Sequence, residues 1–180
     1  DIDLNGTIYY NKSPLGFEVK TSVGAVPVVF TGKFVSMGYK ISNFTLSVQN
    51  TQKTINKDAG VVIVSALFPY VQNATISGVI VENANAVLTT TASATSVVCD
   101  LGAAGLVGTA LDGNTVITDV SVEMTITPSS TTSIIDYPMY VGYIVARGAE
   151  YTTITEATAT IDYSALTGMT TSDLLVTTLN

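Results

Sequence analysis

The sequence predicts an all-β chain wound as a right-handed parallel β-helix, or β-solenoid, of about four irregular coils with non-repeat segments at both ends. Three observations predict it. The apolar alternation of its extended segments slips phase at four similar places. The isoleucines leading those places stand 35, 41 and 37 residues apart. And a chain 47% hydrophobic and only 12% charged, without a long capped helical period, has enough apolar matter for a stacked β core.

Residues 1–29 lie outside the repeat and read as an N-terminal cap or as entry strands, with "GFEVKTSVGAVPVVF" a candidate cover for an open strand edge. The repeats occupy 30–163. In "FTGKFVSMGYKISNFTLSV" (30–48), Tyr39 and Ile41 share one face of an extended chain. Phe44, Leu46 and Val48 share a face as well, but the phase has slipped. A flat strand would send half of these side chains into water. A corner at Ser42-Asn43 resolves the conflict, because both flanking strands can then point inward.

The same slip recurs at Ile76-Ser77-Gly78, Ile117-Thr118-Asp119 and Ile154-Thr155-Glu156, each followed by an apolar-x-apolar run. Asn, Gly and Asp tolerate the left-handed backbone that a corner requires. Glu156 does not do so readily, which predicts a degraded or differently bent fourth repeat. A further apolar segment precedes each later corner: "SALFPYV" (65–71), "AGLVGTA" (104–110) and "YVGYIVARG" (140–148). Polar stretches between repeats, "NTQKTINKDAG", "TTTASATS" and "TPSSTTSIIDYP", read as variable loops. Residues 164–180 form a C-terminal cap. Within it "SALTGMTTSDLLV" (164–176) is the best helix candidate, with Ser172 as an N-cap.

At this point the residues resemble a known family. "DIDLNG" (1–6), "FTGKFVSMGYKISNFTL" (30–46) and "AGLVGTALDGNTVITDVSV" (104–122) are similar to the bacterial surface proteins built from GLUG-motif repeats. Gly105-Leu106-Val107-Gly108 matches the repeat segment, and Phe30, Gly32, Phe34, Gly38, Ile41 and Asn43 match the opening run. The likeness covers about two thirds of the chain. Ser36 departs from the pattern, as do Ala66-Leu67-Phe68-Pro69 and Val141-Gly142-Tyr143-Ile144. The resemblance implies a right-handed parallel β-helix in a secreted or surface-anchored protein, one part of a longer chain, with a structural or adhesive role.

The formal charge is −7 with seven Lys+Arg, so the basic footprint of a nucleic-acid binder is missing. No apolar run is long enough to insert into a membrane. The single cysteine, Cys99, reads as a small buried apolar residue. A chain without an initiating Met or secretory signal reads as a mature form or a piece of something larger. Low charge and abundant Thr, Ser, Asn and Gly point to an extracellular or cell-surface location.

Histidine is absent, which removes the commonest general base and metal ligand. No catalytic, cofactor-binding or metal residue is assigned, and no cofactor is expected. Asp119 and Glu156 fall at equivalent corners one coil apart. They read as solvated corner residues, with a shared cation as the alternative. Asn5, Asn11 and Asn73 each open a sequon and are candidate glycosylation sites in a eukaryotic secretory setting, whereas the Asn43 sequon falls at a corner, where its amide is expected to bond backbone groups of the turn instead. Thr-x-Thr runs suggest an ice-binding ladder. Aligned on the corners, however, Thr158 meets Ser121, Ile80 and Thr45, and Thr160 meets Glu123, Glu82 and Ser47. Charge therefore breaks the second column.

The functional expectation is a non-catalytic structural or adhesive module of a surface or secreted protein. It would present strand faces and loops to other protein modules, to glycans or to copies of itself. A carbohydrate-binding or carbohydrate-cleaving β-helix is the alternative, favoured if three or more carboxylates share a groove near Arg147. A subunit of an extracellular filament is the third reading.

Overall fold

The computed structural model describes residues 1–19, 28–50, 63–90, 101–111, 113–128, 138–167 and 173–177. Entry strand β1 (Ile2–Tyr10) is followed by β2 (Lys33–Val35) and β3 (Lys40–Asn50). The second unit holds β4 (Ile63–Ser65), β5 (Phe68–Val71), β6 (Thr75–Ser77) and β7 (Ile80–Thr90). The third holds β8 (Leu101–Ala104), β9 (Val107–Ala110) and β10 (Thr115–Pro128), and the fourth β11 (Pro138–Gly142), β12 (Val145–Arg147) and β13 (Thr152–Asp162). The one-turn helix α1 (Ser164–Thr167) and β14 (Asp173–Thr177) come last.

Every ladder among these strands is parallel, and each strand pairs with its counterpart in the next unit. The largest sheet runs β1-β3-β7-β10-β6-β2, with β13 on the far side of β10. Strand β10 serves two partners because its first part pairs with β6 and its second with β7. The smaller sheets are β14-β11-β8-β4 and β12-β9-β5. Together they form a curled parallel half-barrel around one core.

The backbone turns where the residues permit it. One column of bends contains Met37 and Gly38, Gly78, Asp119 and Glu156, all with positive φ. The ladders on either side align Ser77 with Thr118, Thr118 with Thr155, and Val120 with Ala157. Glu156 therefore bends as its counterparts do, with φ 51° against 54° for Asp119, and the fourth repeat is not degraded at its corner. The parallel ladder to β10 holds it there despite a left-handed cost of roughly 1–2 kcal/mol.

A second bend column contains Asn5 and Gly6, then Asn43, then Asn83. This changes the reading of the first repeat. Ile41 pairs with Val81, not with Ile76, and it is Phe34 that pairs with Ile76. The inward column is thus Phe34, Ile76, Ile117 and Ile154. Ile41-Ser42-Asn43 belongs to the second bend, although its composition mimics the first. The correction carries to the threonines. Thr158 does meet Ser121 and, beyond it, Ile80, but the next position is Lys40 rather than Thr45.

Alternation around the bends sends Phe44, Leu46, Ile76, Val81, Ile117, Val122 and Ile126 into the core. At the first end, the segment after β1 doubles back through a Lys12–Glu18 bridge and brings Phe17 beneath the sheet. Phe17, Phe30 and Phe34 surround Phe68 with ring centroids 5.6, 5.4 and 5.3 Å away. Such pairs each add ~0.5–1.5 kcal/mol beyond area burial. At the other end Ile154, Ala157 and Ala159 of β13 pack on the core but remain half-buried.

The helix expectation over 164–176 is replaced by α1 and β14. Among the described residues of that stretch Ser164–Thr167 are helical, started by the Asp162 carboxylate, which accepts from Ser164 N at 3.0 Å. Asp173–Thr177 is instead extended and pairs with β11. Backbone pairing to a ready sheet edge outweighs the weak helical pattern. Ser172, Cys99, Asp112 and most of the three predicted loops lie outside the described residues.

The bend column generates a paired prediction. At Gly78 (φ +67°) an added Cβ would stand 2.9 Å from Met37 N, so Gly78→Ala should destabilise by at least ~1–2 kcal/mol. Glu156→Gly relieves a left-handed penalty and costs some chain entropy, so it should stabilise by ~0.5–1 kcal/mol. Urea midpoints at unchanged m-value check both.

Candidate polar groove along the second bend

The second bend column places amides one above another. Asn43 and Asn83 occupy equivalent positions, because the ladders align Ser42 with Glu82 and Phe44 with Ala84. Asn43 Nδ2 donates to Asp3 Oδ1 at 2.9 Å, and Asn83 Nδ2 donates to Asn43 Oδ1. The Asp3 carboxylate also accepts from Asn5 N at 2.8 Å. The ladder runs across β1, β3 and β7 and ends at β10, which passes Glu123 without a bend. There two residues of β7 oppose one of β10 and the register shifts.

These hydrogen bonds favour the charged form of Asp3. They hold its pKa below the ordinary 3.8, the Asn43 side chain contributing most and Asn5 N next.

An open groove of about 460 Å³ lies over this ladder, lined by Asn5, Gly6, Asn43, Thr45, Asn83 and Asn85 with Phe44 beneath. A smaller cleft of about 110 Å³ adjoins it through Asn83 and is lined by Glu123, Thr125, Thr160 and Asp162. Lys40 Nζ lies 2.8 Å from Glu82 Oε1, a half-exposed pair that contributes little to stability.

No family model, curated protein or solved structure matches this chain. The groove is therefore read from its own geometry. Asn5, Asn11, Asn43 and Asn73, the four sequon asparagines, all have positive φ and stand at turns. The Asn73 carbonyl accepts from Asn114 N at 3.1 Å, so its side chain serves the neighbouring turn. Asp119 and Glu156 are exposed neighbours at the first bend, as their register requires. Among the described residues no three carboxylates gather as a metal site. Arg147 lies on β12 opposite Thr109, in a different sheet from both clefts. Four tyrosines lie close together in the sequence, Tyr137, Tyr140, Tyr143 and Tyr151; Tyr143 packs on the core and Tyr151 is exposed, while the side chains of Tyr137 and Tyr140 fall outside the description.

Asn83 and Asn85 escape a sequence search for the corner. "IVENANAV" has no Ile-Ser/Thr lead, and its alternation continues through the bulge. The available signal was the pair of asparagines two residues apart.

The ladder generates a pH prediction. A depressed folded-state pKa stabilises above the unfolded value, and that contribution disappears as pH falls through the folded value. An NMR titration should find Asp3 below 3.8, and Asn43→Ala should raise it towards that value.

Proposed function

We propose that the chain is a right-handed parallel β-helix module of a secreted or cell-surface protein, non-catalytic, structural or adhesive, and related to the GLUG-motif repeats. The connections between its parallel strands favour the right-handed form on general grounds. Its strand edges, faces and loops contact further protein modules, copies of itself or glycans.

The observation that carries this reading is the state of the two ends. Among the described residues β1 pairs only with β3, and β13 only with β10. Each leaves a long parallel edge open, and open edges recruit other chains. Ile2, Val35, Met37 and Tyr39 expose apolar surface at the first end. The half-buried inward face of β13 does the same at the other.

A carbohydrate-cleaving β-helix is the second reading, favoured by one observation: Glu123 and Asp162 line the same cleft. Two carboxylates across a groove are the minimum set for glycoside hydrolysis. Loss of any polysaccharide turnover in both Glu123→Gln and Asp162→Asn would support it.

The principal test is sedimentation velocity over a wide concentration range. The account expects reversible association that weakens in an Ile2→Lys, Val35→Lys double variant, because edge charge opposes strand addition. A chain that stays monomeric throughout and captures neither protein nor glycan would overturn it.

A further inference from the structure

We infer that the groove over the asparagine ladder is a binding site for a neutral oligosaccharide, with Tyr10 as its stacking platform. The inference rests on the adhesive part of the reading above and assigns that role a place and a ligand class.

Groups left over by the fold define the chemistry. The Asn43 amide is used on both sides by the ladder. Asn83 spends its Nδ2 on Asn43, and among the described residues its Oδ1 has no partner. Asn85 Oδ1 accepts weakly from Thr127 at 3.5 Å, and its Nδ2 has no partner among the described residues. The Asn5 side chain makes no hydrogen bond among the described residues. The groove therefore offers unspent amide donors and acceptors beside the Thr45 hydroxyl. A sugar hydroxyl is both donor and acceptor, so it can use both kinds.

The register adds an aromatic surface. Ile8 pairs with Thr45, and Tyr10 pairs with Ser47 two residues further along the same outward face. Tyr10 is 66% exposed, although Tyr9 beside it packs on the core. Tyr10 does not line the groove itself; it extends the outward face past Thr45 and exposed Ile8, and there its ring offers an apolar plate to the C–H face of a sugar that overhangs the amide-lined part. Asn5, Asn43 and Asn83 span three strands, or ~10 Å, enough for a short oligosaccharide.

Charge selects for neutrality. Among the described residues no Lys or Arg lines either cleft, the adjoining cleft carries Glu123 and Asp162, and the chain bears −7 overall. An acidic glycan would be repelled.

The test is titration of the full chain with cellohexaose, maltohexaose, mannohexaose and chitohexaose, followed through the asparagine side-chain amide signals and by calorimetry. Saturable binding of at least one is expected, with the largest shifts at Asn5, Asn83 and Asn85. Tyr10→Ala and Asn85→Ala should each weaken it about tenfold. Tyr10→Phe should keep it, and Tyr39→Ala and Tyr151→Ala, which remove exposed rings elsewhere, should leave it unchanged. If Tyr10→Ala does not fold, Asn85→Ala and the wild-type shift map decide. No binding of any of the four at millimolar concentration would overturn the inference, as would binding indifferent to both groove variants. Self-association measured without glycan is unaffected by either failure, which separates this inference from the module reading.

Discussion

Left-handed bends held in lateral register are what the rest of this structure depends on. A parallel strand keeps its inside and outside by strict alternation, and a chain that must curve around a core has to restart that alternation at each corner. Here single residues such as Asn43, Gly78, Asp119 and Glu156 make the restart by taking positive φ. Asn43 and Asp119 adopt it readily, whereas Glu156 carries a cost of roughly 1–2 kcal/mol in isolation. Ladders on both sides hold each bend in place, and the column of neighbours spreads the constraint over several units. Once the bends align, Ile76, Ile117 and Ile154 must stack, and so must Val81, Val122 and Ala159.

Much of this was legible in the residues. Gly78, Asp119 and Glu156 share an Ile-Ser/Thr lead, and the structure aligns all three. Ile41-Ser42-Asn43 was misaligned because two different bends use the same local chemistry, a polar pair following a β-branched residue. Only the pairing of Phe34 with Ile76 distinguishes them, and that contact spans about 40 positions. Asn83 went unseen because a charged residue, Glu82, precedes it and the alternation around it continues. Asp173–Val176 reads equally well as a helical or an extended run. The free edge of β11 decides between them, and local propensity does not.

The candidate site follows from the same constraint. Stacked bends place equivalent side chains one strand apart, so a residue type repeated at the corner becomes a row. At the first bend the row is mixed, with Met37, Asp119 and Glu156 exposed and Gly78 buried. At the second it is amide-rich, tied together from Asp3 through Asn43 to Asn83. The row satisfies itself along its length and leaves spare groups facing outward. No sequence motif marks such a surface, because Asn5, Asn43, Asn83 and Asn85 come together only through pairing across units. Among the described residues the open edges of β1 and β13 are equally a product of stacking, since β3, β7, β10 and β6 each have partners on both sides and only the terminal strands β1, β2 and β13 do not.

Inter-strand NOEs on a selectively methyl-labelled, phenylalanine-protonated chain test the bend register most directly. The account predicts contacts linking the Phe34 ring to Ile76, Ile76 to Ile117, and Ile117 to Ile154, with Ile41 touching Val81. A direct Ile41–Ile76 contact in place of Phe34–Ile76, or the close Hα–Hα pairs of antiparallel strands at these positions, would contradict it.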